Sequence, residues 1–303
     1  MDRLRIVVIG AAAGGGFPQW NCGKGVSIRF WRGDDNVTAR TQSSIIASVD
    51  GEQWLLLNAS PDIRHQIMST PVLHPRQGER HSPISAVLVT NGDIDHIAGL
   101  LTLRERQPFT LFATSAVHDV LARNAIFDAL DRSTVERRTL TLEGVFETGF
   151  GIGFEIFPVP GKVPLFMEEG EPEIGAETET TVGVRLFGPS GESAFYVPGC
   201  ARLSPALRNR LANAEVVLFD GTLWADDEML TAGVGQKTGQ RMGHMSMVGP
   251  DGSIAAFRDL NVRRKIFVHI NNTNPVLIEN SAERRQAVAA GWEIAEDGME
   301  VRL

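Results

Sequence analysis

TNGDIDHIAGL, residues 90–100, comes directly after the apolar run ISAVLV at 84–89 and places Asp93, Asp95 and His96 within four consecutive positions. A buried strand that closes on carboxylates and an imidazole suits ligand or metal binding, because α/β sheets present their sites at the carboxyl ends of strands. The local alternative is that one aspartate caps the helix that follows. Two later runs repeat the pattern: VVLFD ends in Asp220 and KIFVH ends in His269, while His244 sits in the glycine-bracketed loop RMGHMS. Three strand ends closing on groups able to bind zinc, iron or manganese point to one shared metal centre. His65, His74, His81 and His118 lack such companions and are expected at the surface or in the core.

The runs around this stretch set its frame. RIVVIG (5–10), SSIIASV (43–49) and QWLLLNA (53–59) have strand length, and Asp50-Gly51 between the last two is a hairpin signal. The segment 97–107, stopped by Pro108, has the apolar spacing of a short amphipathic helix. Further on come the strand TLFATS, a helix near VHDVLARNAIFDAL, the strands GFEIFPVP, VGVRLFG and AFYVPG, a helix near SPALRNRLA, and then the two ligand-bearing strands. Strands first, then strands alternating with helices, predict a sheet-rich α/β fold with helices outside. No repeat and no linker divides the chain. EEGEPEIGAETET (168–180) carries six glutamates and no base, and reads as a solvated loop with a lid as the sharper alternative.

Composition narrows the function classes. The 303 residues carry 29 basic against 37 acidic side chains, a net charge of −8 that argues against a nucleic-acid or anionic-membrane surface. Two cysteines, Cys22 and Cys200, specify no disulfide framework and suit a reducing cytosol. The N-terminal IVVI is short for a signal peptide and runs into glycines, and no apolar stretch is long enough to span a membrane, so a cytoplasmic protein is expected. GAAAGGG (10–16) has Ala12 where a dinucleotide fingerprint has glycine, and no P-loop lysine follows; its glycines are expected to let the backbone pass close to another loop or a ligand.

Asp93-Ile94-Asp95-His96-Ile97-Ala98-Gly99 resembles the H-x-H-x-D-H signature of the metallo-β-lactamase superfamily. VPGC (197–200), VLFDGT (217–222), GHMS (243–246) and FVHINNTNP (267–275) follow in that superfamily's order. The resemblance implies a single metallo-β-lactamase-like domain over 1–303, an αββα sandwich with its metal site at one edge. The departures matter as much. Asn91 and Asp93 stand where paired histidines hold a first metal, Pro160 and Gly161 stand near another expected histidine, and Cys200 stands where an aspartate bridges two metals. Asp95, His96 and His269 remain, and two histidines with carboxylates have the composition of a facial Fe(II) site.

GGGFPQWNC (14–22), TQSS (41–44), LNASPDIRHQI (57–67), VPGK (159–162) and HINNTNP (269–275) look like the branch of this superfamily that serves pyrroloquinoline quinone biosynthesis. Many of its members carry several cysteines after W-N-C. Cys22 stands alone here, too few thiolates for a structural zinc. The resemblance implies an Fe(II)-dependent hydroxylase, with zinc as the alternative metal, that uses dioxygen on the tyrosine ring of a Glu-Tyr-derived or cross-linked substrate. Asp95, His96 and His269 would be the core ligands, Asp93 and Asp220 further carboxylates, His244 a proton-transfer group, and Asn91 and Cys200 near neighbours. A carrier of the quinone, a mononuclear zinc hydrolase and a homo-oligomeric assembly stay open.

Overall fold

In β1 (Arg5–Gly10), Ile6 and Val8 enter one apolar cluster while Val7 and Ile9 enter another. Successive side chains of a strand point to opposite faces, so a run such as RIVVIG has to be covered on both sides. A computed structural model describes residues 3–168, 170 and 173–303, apart from the side chain of Leu165. After β1 come β2 (Ser44–Ser48), β3 (Trp54–Leu57), β4 (Ile84–Leu88), β5 (Phe109–Thr114), β6 (Val135–Leu140) and β7 (Val145–Glu147). The chain continues through β8 (Gly153–Gly161), β9 (Ala176–Phe187), β10 (Ser193–Val197), β11 (Val216–Asp220), β12 (Arg264–Val268), β13 (Trp292–Ile294) and β14 (Glu300–Arg302).

These strands form two seven-stranded sheets, ordered β14-β1-β2-β3-β4-β5-β6 and β13-β12-β11-β10-β9-β8-β7. Between them lies one core, in which Ile6, Ile45, Leu57 and Phe112 share a cluster with Phe154, Val184, Tyr196, Leu218 and Ile266. On the outer face of the first sheet, Val7, Ile46 and Leu111 pack with Ile63 of the helix Ile63–Ser69 and Val117 of the helix Ser115–Ala122. On the outer face of the second, Val217, Phe219 and Phe267 pack with Leu207 and Leu211 of the helix Pro205–Leu211. The result is the helix–sheet–sheet–helix sandwich of the metallo-β-lactamase fold, as expected. No helix among the described residues is long and apolar enough to cross a membrane.

Parallel pairing decides where the site lies. β3, β4 and β5 run parallel in the first sheet, and β10, β11 and β12 in the second. Asp220 is paired with Val268, so His269 comes one residue beyond its register partner at the same sheet end.

Several local expectations shift. β2 and β3 form the antiparallel pair expected, but the connection is longer than a two-residue turn, and the Asp50 carboxylate accepts from the Glu52 and Gln53 amides. The helix expected over 97–107 starts earlier, as an α-turn Ile94–Ile97, and continues as a 3₁₀ stretch Ala98–Arg104. Gly99 explains the change: its amide donates to the Ala59 carbonyl at 2.9 Å, and a Cβ at that position would overlap the Ser60 carbonyl oxygen. The helix expected over 117–130 ends at Ala122, where the Asn124 amide side chain donates to the Val120 carbonyl at 2.7 Å and a separate 3₁₀ turn follows. The acidic segment 168–180 is not all loop, because β9 begins at Ala176 and pairs there with β8; Glu169, Glu171 and Pro172 lie outside the described residues.

Candidate metal centre

β4 ends at Leu88, and the chain turns through Thr90 to Gly92 before the short helix begins. The Asn91 Oδ1 accepts the Asp93 amide at 3.0 Å, which closes this turn. Asp93 takes the N-cap position, but its carboxyl makes no cap hydrogen bond and lines the cavity instead. The helical turn presents Asp95 half-buried and His96 buried. From the facing sheet comes His269, whose φ of 57° lies in the left-handed region. That conformation costs a non-glycine residue about 1 to 3 kcal/mol and persists where its surroundings over-determine it. Here the Ile270 amide donates to Ala11 and the Ala13 amide to Ile270, both at 2.9 Å, so the glycine-rich loop holds the His269 backbone in place. The same loop passes Asp95 closely, with the Cβ position of Gly14 3.4 Å from Oδ2.

Among the described residues, two groups bring ligand atoms within 4.8 Å of one another: Asp95, His96 and His269, and Asp220, His244 and His269. In the first, Asp95 Oδ2 lies 3.1 Å from His269 Nε2 and 3.9 Å from His96 Nε2. Ligands about 2.0 to 2.2 Å from a shared ion stand at separations of this kind. His96 Nε2 is buried and has no hydrogen-bond partner. Burial pushes this imidazole down to about 4, so it is neutral. Its Nδ1 faces the Thr90 hydroxyl at 3.5 Å, itself held by Asn58. Burial works to raise the Asp95 carboxyl, but the neighbouring His96 and the hydrogen bond from His269 outweigh it and hold the group well below the carboxylate range. Burial works against a charged His269, yet Asp95 keeps its pKa above the ordinary histidine value.

The second group is arranged differently. Asp220 is fully buried, and its Oδ2 accepts the Cys200 amide at 2.9 Å and His244 Nδ1 at 2.7 Å. Its Oδ1 accepts the Thr222 amide at 3.0 Å and the Thr222 hydroxyl at 2.6 Å. Thr222 Oγ1 also lies 2.8 Å from His269 Nδ1 and 3.0 Å from His244 Nδ1. A hydroxyl has one proton to give. Given to Asp220, it leaves Thr222 to accept Nδ1–H from His269, which makes Nε2 the coordinating atom of that ring. Both imidazoles of the first group thus have a threonine hydroxyl behind Nδ1. Burial opposes charge on Asp220, and the adjacent His244 lowers its pKa all the same.

A cavity of about 360 Å³ joins these residues. Asn91, Asp93, Asp95, His96, His244 and His269 all line it. Asp220 stands behind His244, with every oxygen occupied. Cys200 reaches the site only through its backbone amide: its thiol donates to the Arg202 carbonyl at 3.0 Å, is raised by burial, and does not line the cavity. Among the described residues, neither cysteine joins a group able to hold an ion. Where a further histidine was expected, the Cβ position of Gly161 lies 2.5 Å from Thr181 Oγ1, which leaves no room for an imidazole. Thr222 and the cavity-lining Lys162 and Lys237 had no part in the ligand pattern. The hydroxyl two residues after Asp220 in VLFDGT was the one signal available for Thr222.

Comparison with known proteins shows the family and the fold. A family model described as a beta-lactamase superfamily domain matches residues 53–270. Coenzyme PQQ synthesis protein B of Methylobacterium nodulans is 57% identical over 300 residues, covering 99% of this chain and all of that protein. The crystal structure of Zn²⁺-bound PqqB from Methylobacterium extorquens superposes with a TM-score of 0.97 at 55% identity, covering 99% of this chain and 100% of that one. A diphosphatase of the PhnP family, with a TM-score of 0.72 at 21% identity over 99% of this chain and 97% of its own, shares the fold.

Proposed function

We propose a function on one premise: the chain belongs to the beta-lactamase superfamily and, within it, to the family of coenzyme PQQ synthesis protein B. The reading is an Fe(II)-dependent hydroxylase of pyrroloquinoline quinone biosynthesis, acting with dioxygen on the tyrosine ring of a Glu-Tyr-derived substrate. The observation that carries it is the buried, partnerless Nε2 of His96 beside Asp95 and His269. A polar atom left bare in the interior is costly, and an ion would satisfy it. Two imidazoles and one carboxylate match the donor set that holds non-haem Fe(II) with positions left over. When bound, such an ion supplies the activation of dioxygen.

The protein's own part is positioning and proton movement. Asp95, His96 and His269 would hold the ion, and Thr90 and Thr222 orient the two rings. Asp93 and Asn91 shape the wall beside them. Asp220 holds Nδ1 of His244, which leaves Nε2 of that ring to give or take a proton in the cavity. Met229 and Met242 supply apolar wall that keeps water from the ring being oxidised.

The test is to load the purified protein anaerobically with Fe(II) or Zn(II), add Glu-Tyr and ascorbate, admit oxygen and weigh the product. The reading expects a gain of one oxygen atom with iron and none with zinc; an unchanged mass with both metals refutes it for this substrate. One observation favours a second reading, a mononuclear zinc hydrolase: the M. extorquens relative is Zn²⁺-bound. Cleavage of the dipeptide by the zinc-loaded protein would select that reading.

A further inference from the structure

Three carboxamides beside this cavity hold one another in fixed orientation. Asn272 Oδ1 accepts the buried Ser27 hydroxyl at 3.3 Å, so Nδ2 turns the other way and donates to Gln19 Oε1 at 2.6 Å and to Asn271 Oδ1 at 3.4 Å. Asn271 Nδ2 donates to Thr273 Oγ1 at 2.6 Å, and the Thr273 hydroxyl gives its one proton to the Glu228 carboxylate. Gln19 is thus pinned by its oxygen and Asn271 by its nitrogen. The opposite ends are left for a ligand: among the described residues Gln19 Nε2 makes no hydrogen bond, and Asn271 Oδ1 keeps its second lone pair. One nitrogen touching both oxygens keeps the two groups adjacent.

Both side chains line the cavity that holds Asp95, His96 and His269. A second groove, of about 340 Å³, adjoins it. Gln19 and Met229 line both spaces, and Asn272 lines the groove as Asn271 lines the cavity. The donor and the acceptor therefore stand at a junction, with the metal-binding side chains on one side of it.

We propose that Asn271 Oδ1 and Gln19 Nε2 form a main-chain subsite for a peptide-derived substrate: Asn271 accepts the N–H of its tyrosine residue and Gln19 donates to the carboxyl oxygen of the same residue. In an extended chain the N–H and C=O of one residue point to the same side, which is what an adjacent acceptor and donor can read. The ring then enters the metal cavity and the preceding residue lies in the groove. The inference rests on the functional reading above only in taking a Glu-Tyr-derived molecule as the occupant.

The experiment is a calorimetric titration of zinc-loaded protein at pH 8, where Glu228 is ionised. The probes are Glu-Tyr and its ketomethylene isostere, in which CH₂ replaces the peptide N–H. The parent chain is expected to bind Glu-Tyr about tenfold more tightly than the isostere, because a site built around an N–H is left unpaired by an analogue lacking it. Asn271→Ala is expected to close that gap to within about twofold by weakening Glu-Tyr alone, with zinc content unchanged. Gln19→Met is expected to weaken both probes about tenfold, and Gln19→Glu, which presents only acceptors, at least as much. The proposal is overturned if the parent chain binds the isostere as tightly as Glu-Tyr, or if Asn271→Ala keeps the gap. It is equally overturned if both Gln19 variants bind like the parent, or if Glu-Tyr does not bind at all. Binding in the expected pattern with no oxygen gained under iron sinks the hydroxylase reading and leaves this one standing.

Discussion

Asp95–His96 and Asp220–His244 are two acid–imidazole pairs of the same residue types on either side of His269, yet they are satisfied to different degrees. Asp220 receives four hydrogen bonds, from the Cys200 amide, the Thr222 amide and hydroxyl, and His244. On the other side, His96 Nε2 is buried and receives none. Residue type alone assigns both pairs to a metal. Hydrogen-bond accounting separates them, because a saturated carboxylate is suited to orienting its neighbour while a bare buried nitrogen is suited to an ion.

The sharpest way to break this contrast is to remove one member from each side. His96→Ala is expected to lower metal affinity roughly 10³-fold and to abolish turnover, read by metal analysis after dialysis against a weak chelator. Next comes Asp220→Asn, expected to cut turnover about 10²-fold or more while metal affinity changes by no more than about tenfold. If Asp220→Asn strips the metal and His96→Ala retains it, the assignment of the two sides is reversed. Thr222→Val touches both sides through one hydroxyl and should cost about tenfold in metal affinity, with Thr222→Ser restoring it. Failure of serine to rescue would show that the threonine acts by packing rather than by its hydroxyl.

The smallest effect concerns a third acid, Glu228, which accepts from the Trp224 amide at 2.6 Å and from the Thr273 hydroxyl in the loop beyond His269. Burial raises its pKa to about 7. Because the folded pKa lies above the unfolded one, the stabilisation is complete below about pH 4.5 and is lost as pH rises through about 7. Glu228→Gln mimics the protonated form. It should match the parent chain most nearly below about pH 4 and exceed it by about 1 to 3 kcal/mol at pH 8 in urea unfolding. A variant no more stable than its parent at pH 8 would remove Glu228 from this comparison.

Much of the architecture was readable from period alone. RIVVIG, VVLFD and KIFVH are apolar on both faces, which demands layers on each side of a sheet, and the two later runs end at Asp220 and His269 in parallel register. Gly99 was part of the quoted motif, but its reason lies in the Ser60 carbonyl, about 40 residues away, on which it is pressed. For the same cause the helix predicted over 97–107 became a 3₁₀ stretch. Cys200 sat in a suggestive place in VPGC, and its thiol turned out to face the Arg202 carbonyl instead.

The resemblance to the metallo-β-lactamase superfamily implied the sandwich and the loss of paired histidines at Asn91 and Asp93, while the sequence by itself determined a sheet-rich α/β fold and the strand ends that carry Asp95, His96, Asp220 and His269. The latter follow from features that act locally: hydrophobic period, turn residues, and the side chain placed at the end of a run. Only the tertiary structure decided that Thr222 sits between His244 and His269, that Asp220 is saturated while His96 is bare, and that Glu168 meets Arg241 across 73 positions of chain. Such meetings arise when two sheets pack and bring unrelated loops to one edge, and no periodicity within either loop records them.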